Sequence, residues 1–220
     1  MIRRWRDMDK KWLDLGQQIL NEMPVYPGDP VVERHSFLNH EKDGCHVERI
    51  SLGSHAGTHI DVPYHIFPNG RKLDDFPLDY FIRPGIVVDI SASCQAGGPI
   101  RVESLAGCQD IAPGRVLCLR TGWDRFYGQP RYWQHPYLSV EAAMLLAGRQ
   151  IRFIGIDAPG FDKTGNIEVH KIFLSRDILL VENLARLEQL TVGQDYLFSL
   201  LPLPLPGGDG SPIRAAAVKL

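Results

Sequence analysis

Short apolar runs separated by turn-forming clusters recur along this chain, which predicts many short strands. Residues 86–90, 115–120, 151–156 and 178–181 each read as a strand, and 151–156 is the clearest buried one. Residues 46–54 alternate instead, with Val47, Arg49 and Ser51 opposing Glu48, Ile50 and Leu52, the two-residue period of a strand. Residues 12–15 predict a first strand and 214–219 a last one. Helices are expected over 102–106, over 167–174, and over 140–147 between the N-cap Ser139 and Gly148. Helix followed by buried strand is the α/β pattern. Residues 67–70 read as a turn, and 23–30 and 201–208 as proline-rich loop.

Residues 1–11 are polar and charged, with Trp5, Met8 and Trp12 at helical spacing. They form an extension that packs on the body or a partner subunit, or a frayed end. Residues 12–220 then make one domain, a length that supports one substantial core or at most two small ones. A formal net charge of −2 with scattered basic residues argues against nucleic-acid binding. No run of about 18 apolar residues is present, so no membrane span is expected. The four cysteines form no C-x-x-C, and the twin arginines Arg3-Arg4 precede no apolar stretch. A reduced, cytoplasmic setting is the expectation.

Chemistry concentrates in Ser54 to His65, which reads S-H-A-G-T-H-I-D-V-P-Y-H. Gly57, the β-branched Thr58, Ile60 and Val62, and Pro63 oppose a helix there. On a strand His59 and Asp61 share a face and can share an ion. His55 lies four extended residues from His59, a span of about 13 Å that is too long for easy coordination of the same ion. A turn or bulge at Ala56-Gly57 is therefore expected to fold it back. Two imidazoles and a carboxylate suit a catalytic zinc site and also manganese. His65, past Pro63, is placed for general acid/base work. A lone histidine is more often structural, and H-x-x-x-H alone is common; three histidines and an aspartate interleaved with Gly-Thr and Pro are harder to dismiss.

Other residues carry weaker signals. Tyr26 and Trp123 are candidates to wall a substrate pocket, against the commoner role of covering the core. The aromatic loop of Tyr127, Tyr132, Trp133 and Tyr137 reads as a lid or a subunit contact, and its His135 as structural or exposed. Asp157 either orients a ligand histidine or forms a turn. Glu182 follows four aliphatic residues, so its carboxylate calls for a buried partner, with a salt bridge the first explanation from the residues alone. G-x-S-x-G, Walker A and G-x-G-x-x-G motifs are absent.

His55-Ala-Gly-Thr-His-Ile-Asp-Val-Pro-Tyr-His65 resembles the H-x-G-T-H-x-D-x-P-x-H signature of the cyclase family of metal-dependent hydrolases, which includes bacterial kynurenine formamidases and isatin hydrolases. The resemblance extends to Pro24-Val-Tyr-Pro-Gly-Asp29, to the Arg120-Thr-Gly-Trp123 segment, to Gly155-Ile-Asp-Ala-Pro159, and to His170 followed by Glu182-Asn-Leu. It implies a single mixed-sheet α/β domain of the swivelling β/β/α type, assembled as a homodimer or larger. It further implies that His55, His59 and Asp61 bind a first Zn²⁺ or Mn²⁺, that Asp61 bridges to a second ion held by His170 and Glu182, and that His65 is the acid/base; one or two ions are both open. The implied activity is hydrolysis of an amide, formamide or lactam-like bond in a small molecule, with arylformamidase the leading expectation. Gly160 departs from the Asp-x-Pro-Ser-x-Asp of formamidases, which keeps isatin hydrolysis or lactone opening as an alternative. A metal- or ligand-binding protein without turnover is the alternative of another class.

Overall fold

Four buried runs make the centre of the fold because each hides both faces. The computed structural model describes residues 11–109 and 111–220, so the helical spacing of Trp5 and Met8 lies outside the described residues. In chain order the strands are β1 (Leu13–Asp14), β2 (Glu33–Leu38), β3 (Val47–Ser51), β4 (His59–Asp61), β5 (Ile82–Asp89), β6 (Pro99–Ile100), β7 (Val116–Arg120), β8 (Tyr137–Leu138), β9 (Phe153–Ile156), β10 (Leu179–Glu182), β11 (Tyr196–Ser199), β12 (Gly210–Pro212) and β13 (Ala216–Lys219). The α-helices among the described residues are α1 (His40–Asp43), α2 (Val140–Ala147) and α3 (Glu168–Leu174). None is long and apolar enough to cross a membrane.

One mixed sheet takes nine strands in the order β1-β13-β11-β5-β7-β9-β10-β4-β12. Its centre, β5-β7-β9-β10, is parallel, and the flanking pairs are antiparallel. The central crossovers all step the same way, so right-handed connection puts their helices on one face. Alternate residues therefore enter two cores. Leu117, Leu119, Ile154, Ile156 and Leu180 pack with Ala142, Leu146 and Phe173 of α2 and α3. Val116, Cys118, Phe153, Leu179 and Val181 pack on the other face with Tyr80, Phe81 and Phe198. Ser139 caps α2 by accepting from Ala142 N at 3.2 Å, as its position in the sequence predicts.

The observed fold is thus a single mixed α/β domain, and several local readings need correction. The alternation over 46–54 marks no core face: β3 ends at Ser51, every residue in it is exposed, and it pairs with the unanticipated β2 in a separate ribbon. β11 and β12 are also unanticipated; β12 contains Gly210 and Pro212, residues without strand propensity, and exists because it pairs with β4. Asp157 orients no histidine. Buried at the end of β9, its carboxylate accepts from Thr121 N at 2.7 Å, Thr121 Oγ1 at 2.5 Å and Gly122 N at 2.8 Å, tying that end to the end of β7.

Removing this acceptor strands three donors in the interior. Asp157→Ala is expected to lose about 3 kcal/mol of stability, read as a lower urea midpoint with an unchanged slope.

Candidate metal centre

The site starts from a turn. Ala56 N donates to Gly53 O at 3.2 Å, and Gly57 takes φ +63°, the left-handed region. The bend returns His55 to within 2.6 Å of Asp61, from Nδ1 to Oδ1. The turn is tied to the end of β10 through Thr58, whose hydroxyl donates to Asn183 O at 2.6 Å and accepts from Gln17 N at 2.8 Å. Along β4 the two-residue period sends Ile60 into the core and turns His59 and Asp61 to the opposite face. Antiparallel pairing sets Glu182 of β10 directly across from His59. Helix α3 adds His170.

Three histidines share one arrangement: one ring nitrogen is held from outside, and the other faces the acids. His59 Nδ1 donates to Gly57 O at 2.8 Å, and its Nε2 lies 3.3 Å from Asp61 and 3.5 Å from Glu182. His170 Nδ1 meets Asp162 Oδ2 at 2.6 Å, and its Nε2 lies 3.4 Å from Asp61 and 3.3 Å from Glu182. His55 Nε2 meets Asp209 Oδ2 at 3.0 Å while its Nδ1 faces Asp61. Outer acceptors of this kind fix the tautomer of metal-ligating imidazoles.

Charge follows from the packing. Burial opposes a charge on His55, but Asp61 and Asp209 outweigh it and raise its pKa to about 10. Burial likewise opposes a charge on His170, and Asp162, Asp61 and Glu182 lift it well above its ordinary value. Against its own burial, Asp61 is held well below the usual carboxylate range by His55, His59 and His170. The bond from His55, then that from His65, lowers Asp209.

The donor set fits a divalent cation. Asp61, His59 and Glu182 are buried, and Glu182 Oε1 has no hydrogen-bond donor, an orphaned atom that an ion would satisfy. Donor atoms of His59, Asp61 and Glu182 lie within 4.8 Å of one another, as do those of His55, Asp61 and His65. Asp61 is common to both groups. His65 closes the 3-10 turn Pro63–His65; its ring centroid is 4.0 Å from that of His55 and 6.0 Å from that of His170.

These groups open into a cavity of about 300 Å³. Tyr26 lines it, accepting from Gly165 N at 2.8 Å and meeting Trp133 edge to face at 6.2 Å. Trp123 does not line it. Only 2% exposed, it packs into the helix-side core, with Nε1 donating to Tyr132 O at 2.9 Å; the cavity's tryptophan is Trp133. His135, expected to be structural or exposed, is buried and lines the cavity, with Nδ1 donating to Pro136 O at 3.0 Å. Burial pushes its pKa below the ordinary value. The histidine-orienting acid is Asp162, five residues after Asp157. Neither Asp162 nor Asp209 stood out, because an acid in a Gly- and Pro-rich loop reads as a turn former.

Two substitutions probe the construction. Gly57→Ala places a Cβ in left-handed backbone and about 3.0 Å from Met23 Cε, and is expected to lower stability by roughly 1–2 kcal/mol, read by chemical denaturation. Asp162→Ala frees the His170 ring and is expected to weaken divalent-metal affinity about 10–100-fold, read by competition with a chelator.

Solved structures share this fold. Isatin hydrolase A from Ralstonia solanacearum superposes with a TM-score of 0.86 over 98% of this chain and 94% of that one, at 21% identity. A structure described as a "predicted metal-dependent hydrolase" from Bacillus stearothermophilus is 28% identical with a TM-score of 0.78, covering 94% and 98%. Kynurenine formamidase of Geobacillus thermodenitrificans (strain NG80-2) is 31% identical over 216 residues, spanning 97% of this chain and all of that one. That of Bacillus thuringiensis subsp. konkukian (strain 97-27) is 31% identical over 211 residues, 93% and 96% of the two chains. The Cyclase family model matches residues 13–163, a span that contains the whole histidine-aspartate turn, and on these grounds the chain belongs to the cyclase family.

Proposed function

We propose that the chain is a metal-dependent hydrolase that cleaves the carbon–nitrogen bond of an aryl amide, with N-formylkynurenine, giving kynurenine and formate, as the leading substrate. One observation carries the reading: His55, His59 and His170 are each anchored from outside and aim their second nitrogen at Asp61 or Glu182. Full-length similarity to kynurenine formamidases at 31% identity supports it. His55, His59, Asp61, His170 and Glu182 would hold one or two Zn²⁺ or Mn²⁺ ions, with Asp61 serving both. A divalent ion there supplies a Lewis acid for the carbonyl oxygen and makes water acidic enough to attack near neutral pH. His65 takes the proton of the attacking water and delivers it to the leaving nitrogen, so that water and amide become carboxylic acid and amine. Tyr26 and Trp133 flank the aromatic ring.

Residues 12–220 are the catalytic domain and 1–11 an extension. The protein works in the cytoplasm, consistent with its four free cysteines. It forms a homo-oligomer, because the β2–β3 ribbon exposes Phe37, Val47 and Ile50, and a lone two-stranded ribbon is marginal in water.

Purified protein is expected to release formate from N-formylkynurenine, to stop on chelation and to recover with Zn²⁺ or Mn²⁺. His65→Ala is expected to lower kcat by at least about 100-fold with bound metal unchanged. Full activity in that variant overturns the role of His65. Turnover of isatin but not of N-formylkynurenine transfers the reading to cyclic amides. Stoichiometric metal without turnover of either favours the non-catalytic class.

A further inference from the structure

Asp209 lies 144 residues after His65, and one of its carboxylate oxygens faces two of the site's histidines. Oδ2 is 3.0 Å from His55 Nε2 and 3.7 Å from His65 Nδ1. The loop that carries it is held on three sides. Asp209 O accepts from Val62 N at 3.2 Å, Gly208 O accepts from Leu73 N at 3.0 Å, and Asp74 Oδ1 accepts from Gly207 N at 2.9 Å. The next residue, Gly210, pairs with Asp61. A Cβ on Gly210 would lie 2.6 Å from Ile60 O and 2.7 Å from His55 Cε1, so only glycine lets the loop come this close to the histidines. A carboxylate is thus delivered beside His55 and His65 on fixed backbone.

We propose that Asp209 is a positioning residue: its carboxylate draws the Nδ1–H of His65 toward itself and leaves Nε2 as the basic nitrogen that moves the proton. The second contact of the same oxygen, on His55, sets the side chain's rotamer and keeps it from swinging into solvent. His65 is the histidine that needs such a partner. The rings of His55, His59 and His170 are each fixed by at least one hydrogen bond of 3.0 Å or less, whereas His65 has 30% of its side chain exposed and the Asp209 carboxylate 3.7 Å from its Nδ1. A neutral imidazole bonded at neither nitrogen populates both tautomers, and only one of them accepts a proton at Nε2. The inference rests on the acid/base role proposed for His65.

The test pairs a magnetic-resonance reading of the metal-free protein with kinetics of the metal-loaded one. ¹⁵N-labelled histidine shifts, assigned to His65 by loss of the signal in His65→Gln, are expected to show the Nδ1–H tautomer in the wild type and a tautomer mixture in Asp209→Asn. With N-formylkynurenine, Asp209→Asn is expected to lower kcat per bound metal ion about 10–100-fold with KM within about twofold, and Asp209→Glu to recover part of the rate. An unchanged His65 tautomer with wild-type kcat overturns the proposal. So does a loss of bound metal with unchanged kcat per bound ion, which would mean that Asp209 acts only through His55. If Asp209→Asn does not fold, the Asp209→Glu spectrum decides, because a displaced carboxylate must alter the His65 shifts. A wild type that hydrolyses neither N-formylkynurenine nor isatin overturns the functional reading, while the tautomer measurement still decides the contact.

Discussion

A carboxylate with almost no solvent exposure stands at the centre of the molecule. Asp61 is 1% exposed, and an unpaired ion so buried costs several kcal/mol. Its neighbours answer that constraint. His55 reaches it through a left-handed glycine turn, His59 from the same strand, and His170 from a helix behind the sheet. The imidazoles in turn need fixed orientations, which Gly57 O, Asp162 and Asp209 provide. Layers of acceptor, imidazole and acid thus surround one position. Each layer is useful only because the one outside it is rigid.

Rigidity comes from the sheet. β4 is only three residues long, yet it is flanked by β10 on one side and β12 on the other. The pairing with β10 sets Glu182 against His59, and the pairing with β12 brings Asp209 beside His55. The parallel centre next to β4 is buried on both faces, so a slip in its register would move apolar residues out of two cores at once. The same packing that makes the strands stable holds the acids and imidazoles within bonding distance.

Much of this was legible locally. The four central strands appear as apolar runs because both of their faces are covered, and α2 is bracketed by its serine cap and closing glycine. Where the reading failed, the cause was tertiary. β2 and β3 carry strand-like residues but no core face, and β12 is a strand only by pairing. The pocket's tryptophan is Trp133 rather than Trp123 because the latter points into the helix-side core. Asp162 replaces Asp157 beside His170 because Asp157 is occupied by three donors from the end of β7.

By itself the sequence determined the local geometry of the His55–His65 stretch. That includes the shared face of His59 and Asp61, the glycine that folds His55 back, and the exit at Pro63 that sets His65 apart. Tertiary structure alone decided which distant groups meet them: Glu182 by strand register, His170 and its Asp162 by helix packing, Asp209 by a glycine loop on the far edge of the sheet. Backbone geometry over a few residues is a property of those residues. Contact across more than a hundred depends on how whole strands align, and no local pattern of polar and apolar positions encodes it.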